Sequence, residues 1–227
     1  MSRTPQFPVS PSLSRRAFAA GAAALGAGLA LPQSAFAQSQ INEVPVDKLM
    51  AADELSELTL GNKDAKVTIV EYASMSCPAC ANFHKTTYPK LKEKYIDTGK
   101  VLFVMREFPL NNLAAAGAML ARCAGTPERS IALIDVLFEK QRDWVSNKAV
   151  EELLKIARQA GFTEESFNKC LQDDKLLGKL SRRRDRADKE FGVDATPSFF
   201  INGKRMRTRN YTIEAFDKVL EPLLKSS

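Results

Sequence analysis

The sequence has one histidine, one tryptophan and four cysteines in 227 residues. Beyond residue 37 it lacks any apolar run long enough to cross a bilayer. It also lacks a strong charge of either sign. Residues 1–37 carry Arg3, Arg15 and Arg16 and no acid, and taking these three from the 33 lysines and arginines leaves 30 against 27 acids. A balance of +3 gives no reason to expect a nucleic-acid partner. The chain is neither disordered nor fibrous: 44% of it is hydrophobic, and its length suits one domain or one domain with a sizeable insertion.

The four cysteines are unevenly placed. Cys77-Pro78-Ala79-Cys80 closes an apolar, β-branched run, Val67 to Tyr72, and opens a helical pattern. Proline is favoured at the first helical position, so Cys77 is the expected N-cap, its sulfur facing the free N–H groups of Ala79 and Cys80. Those donors and the helix dipole stabilise a thiolate at Cys77, the attacking species. Cys80, one turn inside, can resolve the mixed disulfide that forms. A zinc half-site and an inert structural disulfide are the alternatives. The first is disfavoured because the other two cysteines are distant and unpaired in sequence, and no metal is expected.

The N-terminus reads as an address. Ser14-Arg15-Arg16-Ala17-Phe18 is a twin-arginine pattern, followed by the apolar run Ala17 to Leu31 and the small-x-small site Ala35-Phe36-Ala37. Residues 1–37 are thus a signal peptide expected to be cleaved after Ala37. An uncleaved anchor is the alternative, but the run falls short of the roughly 18–20 residues that span a bilayer. Such export places the chain in a bacterial periplasm, where disulfides persist.

Residues 38–65 form a polar arm whose Leu49, Leu55 and Leu58 suit either a helix or a short edge strand. Glu71 shares its strand parity with Val67 and Ile69. If that face is buried, its carboxyl lies near the thiol pair and can relay protons as the disulfide opens and closes; otherwise it is a strand-end acid in water. The helix from Cys77 is expected to run past Pro89 with a kink, with Phe83, Tyr88, Leu91 and Tyr95 inside. His84 is read as a surface or half-buried residue of that helix, with a catalytic role as the lesser alternative. Val101 to Met105 is a second buried strand.

Residues 111–191 show no strand pattern. Five helices are punctuated by Asn111, Gly125, Thr126-Pro127, Gly161, Thr163 and Gly192. With Cys77 and Cys80 assigned to each other, the simplest pairing for Cys123 and Cys170 is a structural bridge within this block; two reduced buried thiols are the alternative. The run Arg182-Arg183-Arg184-Asp185-Arg186 reads as a solvated helix face, and Trp144 as a packing residue after a helix. Strands return at Ser198–Ile201 and Lys204–Arg207 around an Asn202-Gly203 hairpin turn of type I′. A final helix follows, capped by Thr212.

Together these features resemble the thioredoxin superfamily: C-P-A-C after a strand, Glu71 six positions before it, Ala195-Thr196-Pro197-Ser198-Phe199-Phe200, and the Asn-Gly hairpin. The helical block and Arg106-Glu107-Phe108-Pro109-Leu110 are similar to the DsbA-like branch of bacterial periplasmic thiol-disulfide oxidoreductases. The resemblance covers about residues 60–225. It implies an α/β thioredoxin fold with an inserted all-helical domain: residues 66–110 and 192–227 supply the thioredoxin-like part and 111–191 the insertion. It makes Cys77 the nucleophile, Cys80 the resolving thiol and Glu71 the buried acid. Pro197 becomes the cis-proline facing the disulfide and Thr196 its neighbour at the substrate-binding edge. Ala79 departs from the family, which commonly has a stabilising histidine there. The Cys77 pKa is therefore expected within the roughly 3.5–7.5 range of activated cysteines but not at its lowest end, giving an oxidant milder than the strongest members.

The expected activity is donation of the Cys77-Cys80 disulfide to reduced exported polypeptides, without a cofactor. The donor is a monomer reoxidised by a DsbB-like membrane partner and meets the membrane only through that partner and export. A second reading is an oligomeric isomerase or reductase of the DsbC, DsbG or ScsC type, kept reduced by a membrane donor. A third is a non-redox binding module for metal or peptide.

Overall fold

The computed structural model describes residues 41–208 and 210–225. The expected signal at 1–37, with its cleavage site, lies outside the described residues. Within the arm, Val46–Met50 forms α1 and Leu58–Gly61 forms β1, so its leucines serve both uses open to them. Leu49 sits on the helix and Leu58 on the strand, and both are buried with Leu55. β2 (Val67–Ala73) and β3 (Val101–Glu107) each run slightly beyond the apolar stretch that marks them in the sequence. β4 (Ser198–Ile201) and β5 (Lys204–Arg205) complete a sheet of order β1-β3-β2-β4-β5, in which only β2 and β3 are parallel.

Parallel neighbours need a crossover, and residues 78–96 supply it. α2 (Pro78–Thr86), α3 (Tyr88–Leu91) and a π-helical turn (Lys92–Ile96) follow one another. Pro89 lacks an N–H and its ring crowds the preceding turn, so the expected kinked helix is broken at Thr87 into separate pieces. Its inner face, Phe83, Tyr88, Leu91 and Tyr95, is buried. Between β4 and β5 the chain turns through Asn202 and Gly203, both at positive φ (46° and 81°), as a type I′ turn requires. A side chain at Gly203 would also run into the Val44 carbonyl. The arm passes there: Val44 N–H donates to Gly203 O at 2.8 Å, Arg205 N–H to Asn42 O at 2.8 Å, and Glu43 pairs antiparallel with Lys204.

Both faces of the sheet are covered. Val67, Ile69, Phe103, Phe199 and Ile201 join the larger core with the crossover and most of the helical block. Val70, Tyr72, Val104 and Phe200 join a second core with Leu49 of α1 and with Ala187 and Phe191. The block comprises α4 (Asn112–Cys123), α5 (Pro127–Glu139), α6 (Gln141–Trp144), α7 (Ala149–Gln159), α8 (Glu164–Leu171) and α9 (Asp174–Phe191). Asn111, Thr126 and Thr163 cap α4, α5 and α8 through their side chains, and Gly192 ends α9 in the left-handed region. The short α6 escapes the expectation of five helices because four residues show no periodicity. Trp144 lies on it, fully buried, with its indole N–H donating to Leu137 O at 2.8 Å. Cys123 and Cys170 are bonded across the ends of α4 and α8, with S–S 2.11 Å and Cα–Cα 6.2 Å. α10 (Ile213–Lys225) closes the chain. No helix among the described residues is long and apolar enough to cross a membrane.

The basic run on α9 is a solvated face in part: Arg182 is exposed, Arg184 and Asp185 are half-buried, and Arg186 pairs with Glu190 one turn on, but Arg183 departs from that reading. Arg183 is 3% exposed. Its guanidinium donates to Asp53 by two bonds of 2.6 Å, to Glu107 at 3.3 Å and to Leu55 O at 2.8 Å. Arg182 pairs with Glu54, and Arg186 donates to Ala51 O and Lys48 O. These partners of Arg182, Arg183 and Arg186 lie more than 70 residues away in sequence, beyond the reach of a helical charge pattern. The run clamps the arm to the block.

Candidate active site

Cys77 is the N-cap of α2, with Pro78 in the first turn. Its backbone is extended (φ −79°, ψ 120°), which aims the sulfur at the open end of the helix. The Cys77 N–H donates to Ser74 O at 3.0 Å, closing the turn that carries it off β2. In the thiol form Sγ donates to Thr196 O at 3.3 Å, and the Thr196–Pro197 bond beside it is cis. The Cys77 pKa is lowered from 9.0 to about 5. The leading cause is the hydrogen bond from the Cys80 thiol. Burial opposes it, and the Thr196 side chain with the N–H groups of Cys80 and Ala79 adds to it. A thiolate can only accept, and the Thr196 hydroxyl, which has no other partner among the described residues, is the donor available on that side.

Cys80 is 0% exposed. Burial, its hydrogen bond to Cys77 and the nearby charge of Glu71 push its pKa well above 9.0. The pair is therefore asymmetric, one sulfur ionised near neutrality and the other protonated. Glu71 is fully buried, paired in register with Met105 and Phe199. Since both sheet faces are covered, strand parity alone would not have decided its burial. His84 is neither the surface nor the half-buried residue expected from its helix position. Its side chain is 4% exposed, with Nε2 3.0 Å from Glu71 Oε2 and its ring stacked on Phe138. The aromatic wall of α5 that covers it is distant in sequence.

Sequence reasoning missed Gln141. From α6 its buried amide donates to Met75 O and Cys77 O, each at 2.9 Å, bracing the reactive turn from the helical block. A single glutamine between two helices carries no signal of such a role. Among the described residues no three His, Cys, Asp or Glu side chains converge as metal ligands would.

A helix-capping cysteine with a lowered pKa, a buried partner thiol and an adjacent cis-proline have the make-up that dithiol exchange requires. The family model described as Thioredoxin matches residues 53–222. A Rickettsia bellii protein assigned as a protein-disulfide oxidoreductase is 38% identical over 84% of this chain and 74% of its own. The chain belongs to the DsbA-like thiol-disulfide oxidoreductases of the thioredoxin family. A Bacillus cereus protein assigned as disulfide bond formation protein D is 28% identical over 75% of this chain and 80% of its own. Among solved structures, Wolbachia pipientis alpha-DsbA1 superposes with a TM-score of 0.72 at 29% identity, covering 80% of this chain and 96% of that one.

For this DsbA-like oxidoreductase the Thr196 hydroxyl offers a direct check. Thr196→Val keeps the shape and removes the donor, so the Cys77 pKa should rise by roughly one unit, the worth of about one hydrogen bond to a charged group. Thiolate absorbance followed against pH measures it. An unchanged midpoint would mean that the hydroxyl does not reach the sulfur.

Proposed function

We propose that the protein is an exported dithiol oxidase. Its residues 1–37 are a twin-arginine leader removed after Ala37, and it works as a monomer in the periplasm. A client thiolate attacks Cys77 Sγ, the Cys77–Cys80 bond breaks and its electron pair leaves on Cys80, which takes up a proton. A second client thiolate then attacks the client sulfur of the mixed disulfide and releases Cys77 as thiolate. Thr196 and Pro197 line the edge where the client backbone pairs. A DsbB-like membrane partner restores the disulfide, and Cys123–Cys170 stays a structural bridge outside this cycle.

The observation that carries the reading is the stabilised Cys77 thiolate, with its pKa at about 5. A thiolate favoured in the reduced form makes the disulfide a better oxidant. The isomerase reading needs an arm free to join chains. Here the arm from residue 42 onward is engaged by β5 and by Arg106, Arg122 and α9 of its own chain, which favours the oxidase.

A folded-state pKa below the unfolded one stabilises the reduced fold fully above about pH 9. The contribution fades as pH falls and is gone below about pH 5. The stability of the reduced form relative to the oxidised form should therefore grow from pH 5 to pH 9, as urea unfolding of both forms would measure. The deciding experiment for direction is thiol trapping of Cys77 in cells. An oxidised pair is expected, and a pair held reduced would replace the oxidase by the isomerase or reductase.

A further inference from the structure

Cys80 must gain and lose a proton in every cycle, yet it is sealed from solvent. The proton therefore has to travel through the protein. Glu71 stands next in line, and its Oε1 has no hydrogen-bond partner among the described residues while its Oε2 faces His84 Nε2 at 3.0 Å. The other ring nitrogen, Nδ1, lies 3.6 Å from Asp135 Oδ1 on α5. Exposure rises along this line: 0% for the Glu71 side chain, 4% for His84 and 44% for Asp135. Asp135 and His84 line a cleft of about 390 Å³ that opens between α5 and the crossover. The remaining charged or titratable groups on its walls are Lys85, Tyr88, Lys92 and Glu139. On the core side the ring meets Phe83, Tyr88 and Phe138, which leaves Glu71 and Asp135 as its two ion-pair partners.

We propose that His84 is a positioning residue for the exchange reaction: acting through Glu71, it carries the Cys80 proton between the buried pair and solvent at the Asp135 cleft. When a client thiolate breaks the Cys77–Cys80 bond, the electron pair goes to Cys80. Cys80 takes a proton that the Glu71 carboxylate relays from the His84 imidazolium, and His84 is resupplied by water at Asp135. Reoxidation by a partner disulfide runs the same line backwards as the Cys80 thiol attacks the mixed disulfide and the partner leaves as thiolate. Burial lowers the His84 pKa, but Glu71 and Asp135 together outweigh it and hold it at about 9, so the ring is charged and ready to donate at neutral pH. The inference rests on Cys77 and Cys80 being the exchanging pair and holds for either direction of exchange.

The test is stopped-flow exchange with a reduced client peptide, and with oxidised glutathione for the return step, from pH 5 to pH 10. His84→Gln keeps a hydrogen-bonding side chain but no titrating group. It should slow both steps on the order of a hundredfold at pH 7, at the low end of proton-transfer effects, and remove the limb near pH 9. The Cys77 titration should stay at its wild-type value. In His84→Ala, added imidazole should restore the rate. Asp135→Asn alters only the outer end and should move the same limb to lower pH. A His84→Gln protein with the wild-type rate and profile would overturn the proposal. If that variant does not fold, an unmoved limb in Asp135→Asn overturns it instead. Wild-type protein that exchanges with neither reagent would defeat the exchange reading itself, which is a separate outcome.

Discussion

Cys80→Ser should accumulate a covalent complex with client polypeptides, whereas Cys77→Ser should reduce exchange to background. The two sulfurs are only three residues apart, so the contrast tests their asymmetry rather than their presence. Cys77 ionises at about 5 because Cys80, Thr196 and the first helical N–H groups all donate to it. In Cys80→Ser the serine hydroxyl can still donate to that thiolate. Attack on a client or reagent disulfide therefore proceeds, and the mixed disulfide persists for want of a resolving thiol. In Cys77→Ser the remaining thiol is sealed from solvent and held protonated, so neither access nor ionisation supports attack. Non-reducing gels and mass spectrometry of the trapped species would read the outcome. Equal trapping by both variants would mean that the assignment of nucleophile and resolver is wrong.

Arg183→Ala should cost about 3–5 kcal/mol of stability, the range for breaking a buried ion pair from one side. Arg183 joins three parts of the chain: Asp53 and Leu55 O in the arm, Glu107 at the end of β3, and α9 itself. Glu107 is fully buried, and burial alone would raise its pKa. Arg122 and Arg183 outweigh that and hold it below the ordinary 4.5. Removing Arg183 leaves Glu107 with Arg122 only and strands Asp53. Urea unfolding should show the midpoint fall with little change in slope. The sign with pH follows from the lowered folded pKa: the Glu107 contribution is present above about 4.5 and lost as pH falls through the folded value. The gap between wild type and Arg183→Ala should therefore narrow in acid. A loss below about 1 kcal/mol, typical of exposed pairs, would place this cluster at the surface in energetic terms.

The reactive turn was legible because its signals are local. A β-branched run, C-P-A-C, a proline-bearing strand start and Asn-Gly each specify their own geometry within a few residues. Helix ends were equally legible from Asn111, Thr126, Thr163 and Gly192, whose capping chemistry does not depend on the rest of the chain. His84, Gln141 and Arg183 were not, since each takes its role from partners contributed by other elements. Imidazole against Phe138, an amide on the Met75 carbonyl and a guanidinium on Asp53 leave no mark in the order of residues.

The short pairing of residues 42–44 along β5 has a bearing on how the protein avoids its own clients. An oxidoreductase that handles unfolded chains is surrounded by strands seeking a sheet to extend, and an open margin invites runaway association. At the β5 margin the arm occupies that position, with Arg205 N–H and Gly203 O already satisfied. A strand arriving at that margin finds its first donor and acceptor already taken.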